Sequence, residues 1–276
     1  FFLTCKKEGA SLIPPFEIFG KTFAIYPLIA LAGFFISGIF ACIQIKKRGF
    51  DENDMICVLL FCGVGALIGG HMLYGLTNPT LFFQTFSMLP QTGFSEAFWQ
   101  SAAATFGGSV FYGGLLGGMV TGGLYYRKKQ FPNDFVDVMA VSVPLFHTFG
   151  RIGCFLGGCC YGIECSVGFT YTQNPIASAN GVRRFPVQLL EALFCFVLFL
   201  VLFSLLRRGL CKGRLLAVYL CVYAVGRFFL EFLRGDSYRG FLFGLSTSQI
   251  ISILLLIGTV VFLLTDQKRR KRPAVS

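Results

Sequence analysis

Arg227, Glu231 and Arg234 follow one another at spacings of four and three inside an apolar run, so a helix carries them on one face. Arg151 and Glu191 stand in two further apolar runs. Ionisable groups at membrane depth cost about 2.5–3.5 kcal/mol each on insertion scales, which makes each one a functional candidate by default. Three guanidiniums facing two carboxylates leave an excess of positive charge. That excess suits an anion with planar oxygens, which arginine grips through two parallel N–H bonds. Inside a bilayer the anion at hand is the phosphodiester of a phospholipid head group. The plainer reading is a buried Arg227–Glu231 ion pair that only joins helices.

These residues need a membrane around them, and the composition supplies the reason. Of the 276 residues 55% are hydrophobic and 13% charged, with a mean hydropathy of +0.70, too little charged surface to solvate a soluble fold of this size. The expected fold is an all-α polytopic membrane protein, one integral membrane domain over 1–276. Seven spanning helices are expected: about Phe23 to Ile45, Met55 to Leu76, Val110 to Tyr126, Phe135 to Gly157, Val187 to Leu206, Leu215 to Leu233 and Thr247 to Thr265. The first is taken as a retained helix rather than a signal peptide, because it is longer than a signal core and follows Pro14 and Pro15.

Basic clusters follow the first, third, fifth and seventh helices: Lys46, Lys47 and Arg48; Arg127, Lys128 and Lys129; Arg207, Arg208, Lys212 and Arg214; and Lys268 to Arg272. One orientation puts all four on the cytoplasmic side, with the amino terminus outside and the carboxyl terminus inside. The net charge of +11 is then topology signal and attraction to anionic lipid, which excludes nucleic acid as a partner. Residues 77–109 contain no Lys or Arg and carry the single Trp99, as expected of an external segment lying in the interface. A second external loop is expected at 158–186 and a basic cytoplasmic tail at 266–276. In this orientation Arg151, Glu191, Arg227, Glu231 and Arg234 all fall in the outer half of the bilayer.

Glycines and cysteines add further candidates. The third helix carries Gly113, Gly114, Gly117, Gly118 and Gly122 at the small-xxx-small spacing of close helix packing. Gly113 and Gly114, beside Tyr112, also offer room for lipid or backbone N–H groups for phosphate. Cys154, Cys159, Cys160 and Cys165 lie close together in sequence but lack a paired C-x-x-C, so small packing residues are expected rather than a metal site. The two histidines are His71 and His147, the latter one turn before Arg151.

The stretch GRIGCFLGGCCYG, Gly150 to Gly162, resembles the signature of prolipoprotein diacylglyceryl transferases, a G-R-[IL]-G-N-F-x-N-G-E-x-[WY]-G pattern. FYGGLLGG at Phe111, RFPVQLLEAL at Arg184, GRFFLEFLRGD at Gly226, LSTSQIISI at Leu245 and FAIYPLIALAGFF at Phe23 are similar to further family segments in the same order. The resemblance implies a bacterial cytoplasmic membrane protein with its site toward the outer leaflet. It implies transfer of a diacylglyceryl group from phosphatidylglycerol to the lipobox cysteine of prolipoprotein signal peptides, with no metal or soluble cofactor. Carried over residue by residue, Arg151 and Arg227 bind the head group and steady the leaving phosphate, and Glu191 and Glu231 orient them. Tyr26 and Gly162 match further family positions and, with Cys154 and Arg234, are expected among the substrate-binding residues; Asp137 matches an acidic family position early in the fourth helix.

The chain departs from the pattern at positions that bear on the chemistry. Tyr112 stands where the family has His, Cys154 where it has Asn, and Cys159 where it has Glu. The thiol must lose its proton to attack, so Tyr112 or His147 is the candidate base. Three functions stay open: the transferase itself, a paralogue with the same phospholipid site and another acceptor, and a phospholipid-binding or transport protein without chemistry. Transport finds no internal repeat and no matched pair of broken helices to support it.

Overall fold

The computed structural model describes residues 16–18, 21–23, 25–172, 179–236, 240–242 and 244–271. In chain order its elements are β1 (Phe16–Ile18), β2 (Lys21–Phe23), α1 (Ile25–Lys46), α2 (Glu52–Leu76), α3 (Pro79–Thr92), α4 (Glu96–Phe106), α5 (Phe111–Lys129) and α6 (Asn133–Leu156). There follow β3 (Glu164–Thr170), β4 (Arg183–Arg184), α7 (Val187–Arg207), α8 (Leu215–Leu230), a 3-10 turn at Glu231–Leu233, β5 (Phe241–Leu242), β6 (Leu245–Ser246) and α9 (Thr247–Lys271). The strands pair only as three antiparallel two-stranded ribbons, β1–β2, β3–β4 and β5–β6, so the protein is helical with no closed sheet among the described residues.

The expected seven helices are all present, as α1, α2 and α5 to α9. Six of them are long and apolar enough to cross a membrane, and the chain is a multi-pass membrane protein. The exception is α5, 19 residues of which six are glycine and the last three are basic, which lowers its hydropathy without shortening it. Two compact units are formed, one from Gly49–Phe131 and the other from the described parts of Glu8–Arg48 and Pro132–Ser276.

In the first unit α2 begins three residues earlier than hydropathy alone suggests, because the Asp51 side chain caps it by accepting from Asn53 N at 2.9 Å. Its glycines then meet those of α5. A Cβ on Gly69 would strike the Gly113 carbonyl, and one on Gly117 would strike that of Gly65. Thr121 Oγ1 donates across the same contact to Phe61 O at 2.6 Å. Lacking a hydrophobic drive between helices in lipid, such close backbone approach is what holds the pair. Gly117→Val is expected to destabilise the protein by about 1–3 kcal/mol through overpacking. Unfolding of the detergent-purified variant in denaturant measures it, and an unchanged midpoint would show that the two helices can part at no cost.

Within the 77–109 segment the chain forms two helices, α3 and α4. Asn78 caps α3 with Pro79 in its first turn, and Ser95 caps α4. Thr85 Oγ1 lies 2.7 Å from Ser101 Oγ and 2.8 Å from Thr105 Oγ1, joining the pair on its inner side. Phe83, Phe94 and Trp99 stay exposed on these two helices.

In the second unit α6 is the central helix, packing on α1, α7 and α8, while α9 packs on α8. One end is clamped by charge. Buried Asp137 accepts from Gly213 N at 2.5 Å and Leu215 N at 3.1 Å, so the family-matched carboxylate anchors the turn between α7 and α8. Arg214 donates to Asp266 from α9 at 2.8 Å. Asp137→Ala orphans two backbone donors and is expected to cost about 1–3 kcal/mol per unsatisfied group; an unshifted thermal midpoint in detergent would contradict that anchoring role. At the other end the chain after α6 crosses under α8. Ile163 N donates to Leu233 O and Gly235 N to Tyr161 O, both at 3.0 Å. The expected 158–186 loop is thus partly strand, with 173–178 outside the described residues.

Candidate active site

Four ionisable side chains from α6, α7, α8 and the 3-10 turn that follows it meet in the second unit. Arg151, five residues before the end of α6, pairs through Nη2 with Glu191 Oε1 at 3.0 Å. Glu191 lies in the second turn of α7, and its other oxygen, Oε2, lies 4.0 Å from Arg227 Nη1. Arg227, on α8, pairs through Nη2 with Glu231 at 2.6 Å and donates to Ser248 Oγ of α9 at 3.3 Å. Glu191, Arg227 and Glu231 are 2%, 7% and 3% exposed, while the Arg151 side chain, at 21%, is the one partly open end of the chain Arg151–Glu191–Arg227–Glu231. Arg227 Nη1 is buried and makes no hydrogen bond to the protein. A buried polar nitrogen in that condition calls for a partner that the protein does not itself supply.

The α8 face extends further than the charged residues. Tyr219 and Tyr223 precede Arg227 and Glu231 at a strict spacing of four. Tyr223 donates to Glu191 Oε1 at 3.3 Å, and Tyr219 OH lies 3.1 Å from His147 Nδ1. The His147 ring lies tilted beside that of Tyr223, with ring centroids 5.3 Å apart. The sequence reading missed both tyrosines, although their periodicity with Arg227 was the available signal.

Beyond Arg151 the chain turns sharply. Gly158 and Cys160 take φ of +70° and +56°, and this turn returns Cys159 N to Cys154 O at 3.1 Å. Cys154, Cys159 and Cys160 then place their sulfurs within 4.8 Å of one another. Where the sequence suggested packing residues, three of the four close-spaced cysteines form one cluster, to which Cys165 does not contribute. Gln188 Nε2 of α7 donates to Cys159 O at 2.8 Å and holds the turn in place. Tyr26 of α1 lies against Gly153 and Gly157 and interacts electrostatically with Arg151 and the thiols. Hydrogen bonds from the Cys154 and Cys159 thiols, with the Arg234 and Arg151 guanidiniums nearby, hold the Cys160 thiol well below its usual range, while Cys159 is pushed above its own by the thiols it bonds. Burial pushes the nearby Tyr171 phenol up to about 12.

Arg234 lies just past the end of α8 and is held by Asp236, Nε to Oδ1 at 3.0 Å and Nη2 to Oδ2 at 2.6 Å. Burial opposes its charge, yet Cys160 and Asp236 keep it more firmly protonated than a free arginine. Gly162 has a structural place: it bridges to Arg234, and a Cβ there would meet the Phe185 carbonyl. Arg184 stacks on Tyr161 with its guanidinium carbon 4.4 Å from the ring centroid, and donates to Gly162 O at 3.4 Å, so the family-like Arg-x-Pro segment buttresses the same crossing.

Tyr26, His147, Arg151, Cys154, Gly162, Glu191, Arg227, Glu231 and Arg234 therefore gather in one unit. Gly113 and Gly114 belong to the other, where they line the α2–α5 contact. Tyr112 opens α5, and its side chain lies outside the described residues. His71 is engaged through Nδ1, 2.7 Å from Phe106 O and 2.8 Å from Gly108 O, as a link between helices of the first unit.

The model of the family described as prolipoprotein diacylglyceryl transferase matches residues 15–265. A phosphatidylglycerol–prolipoprotein diacylglyceryl transferase of Clostridium tetani is 34% identical over 251 residues, 90% of this chain and 95% of the relative. A protein of Clostridium perfringens with the same name and the number 2 is 31% identical over 255 residues, 89% of this chain and 91% of the relative. A Streptococcus uberis protein of that name is 28% identical over 270 residues, 95% of this chain and 98% of its own length.

Proposed function

Because the chain belongs to the prolipoprotein diacylglyceryl transferase family, we propose that it transfers a diacylglyceryl group from phosphatidylglycerol to the lipobox cysteine of prolipoproteins, the first step of lipoprotein maturation. The observation that carries the reading is the buried Arg227 Nη1, which has no hydrogen bond within the protein and is held in place by Glu231, Ser248 and Glu191. That nitrogen and the Arg151 guanidinium meet the oxygens of the head-group phosphodiester. The acceptor thiolate attacks the glycerol carbon of the diacylglyceryl moiety; an S–C bond forms, the C–O bond to phosphate breaks, and glycerol phosphate departs with the electron pair. Developing charge on that leaving group is what the two arginines stabilise, in a site where burial strengthens every such contact.

The membrane is the bacterial cytoplasmic membrane, with the ionic site toward the outer leaflet. Segments 77–109 and 158–186 lie outside, and the basic tail, 266–276, lies in the cytoplasm. The positive-inside bias of the four basic clusters supports this orientation.

The test is direct: purified protein, phosphatidylglycerol and a lipobox peptide, with glycerol phosphate release and peptide mass followed together. A gain of one diacylglyceryl unit that needs the peptide cysteine is expected. No gain under conditions where a related enzyme works would leave a phospholipid-binding paralogue with another acceptor. In the same assay Tyr112→Phe and His147→Ala separate the candidate bases, since loss of a general base costs on the order of 10²–10⁴ in rate. If both variants keep the full rate, neither side chain takes the thiol proton.

A further inference from the structure

We propose that Cys154, Cys159 and Cys160 form a trithiolate site for Zn²⁺ whose fourth ligand is the acceptor cysteine thiol of the substrate. The inference rests on the transferase reading above and gives the thiol its means of activation. Zinc bound to sulfur at about 2.3 Å in tetrahedral geometry separates its sulfurs by about 3.8 Å. The three sulfurs already lie within 4.8 Å of one another, so small side-chain rotations close the site. All three are soft donors, a set that selects zinc or copper(I) and rejects magnesium and calcium.

The backbone is built to bring them together. Cys154 is buried in the last turn of α6, and the left-handed residues Gly158 and Cys160 return the chain onto it. A non-glycine residue held in that region is uncommon, and the Gln188 bond to Cys159 O fixes the turn. Arg151 and Arg234 both act electrostatically on the cluster, which offsets the negative charge of three thiolates around one dication.

Three protein ligands with one position open is the arrangement of catalytic zinc, and a thiol that takes up such a position is deprotonated outright. The peptide thiol would bind zinc and release its proton to solvent. The zinc-bound sulfur then attacks the glycerol carbon, the C–O bond breaks, and the phosphate leaves toward Arg151, one turn from Cys154 on the same helix. The thioether product is neutral and a weaker ligand, so it dissociates.

The full-length protein in detergent, stripped of metal and reloaded with Co²⁺, provides a readout that does not depend on turnover. One Co²⁺ per chain with a sulfur-to-metal charge-transfer band is expected, lost in Cys160→Ser and in Cys154→Ala. Adding a lipobox peptide should change the cobalt spectrum, whereas the same peptide with Ser in place of Cys should not. In the transfer assay at saturating peptide, where the zinc-bound thiol stays deprotonated, the ratio of zinc-loaded to metal-free rate should grow about tenfold per pH unit below the ordinary thiol pKa of about 8.5, because only the free thiol loses its thiolate there. Stoichiometric metal whose spectrum ignores the peptide would overturn the proposal, as would failure to bind metal or a disulfide joining two of the three cysteines. If metal-free protein transfers normally at every pH, the site falls and the transferase reading stands. If no metal state transfers while a related enzyme does, that reading falls, and the cobalt response to peptide alone decides the site.

Discussion

Arg227→Lys is expected to lower kcat by on the order of 10²–10³, the loss typical of removing one donor aimed at developing charge, while the protein stays folded. Lysine keeps the positive charge and can still pair with Glu231. It cannot also reach Ser248 and present a second, free N–H, because its ammonium is a point charge on a flexible stem rather than a planar fork. The two terminal nitrogens of Arg227 differ: Nη2 binds Glu231 and Ser248, whereas Nη1 is buried without a hydrogen bond, the position the proposed head-group contact needs. Steady-state kinetics against phosphatidylglycerol and a thermal scan, on the same preparation, check both halves. Near-normal turnover would remove Arg227 from the head-group site; a collapsed scan would show that its role is structural.

Glu191→Ala is expected to be the most destabilising single change in the protein, on the order of 3–5 kcal/mol. Its two oxygens face two different arginines from two different helices, Arg151 at 3.0 Å and Arg227 at 4.0 Å, at 2% exposure. Deleting it removes the carboxylate that the Arg151 and Arg227 guanidiniums share, and among the described residues only Arg227 of the two keeps an ion-pair partner, Glu231. Glu191→Gln, which keeps the Tyr223 and Arg151 hydrogen-bonding shape but not the charge, should recover part of that stability and little of the activity. Denaturation midpoints of the two variants, read beside their transfer rates, give the result. Equal stability of Glu191→Ala and the parent would mean that the arginines find other counter-charges, and the ionic chain would lose its keystone.

The sequence determined the environment and the elements. Apolar runs of membrane-spanning length, four basic clusters and a Gly-rich helix fixed where the helices begin and end to within a few residues, because hydropathy and the cost of burying charge act locally. The same cost singled out Arg151, Glu191, Arg227 and Glu231 before any fold was known. Spacing also placed Arg227 and Glu231 on one face, though it could not show that Tyr219 and Tyr223 continue that face toward Glu191 and His147. Only the tertiary structure decided which charges touch. Glu191 lies 40 residues from Arg151 and 36 from Arg227 in sequence, and no local rule pairs groups on separate helices. It likewise decided that Gly162 serves a backbone crossing, that Asp137 holds a turn, and that three cysteines without a recognisable metal spacing share one small volume. Those outcomes depend on a left-handed turn at Gly158 and Cys160 and on how α6 packs against α7 and α8, which are properties of chain segments meeting in space rather than of their order along the chain.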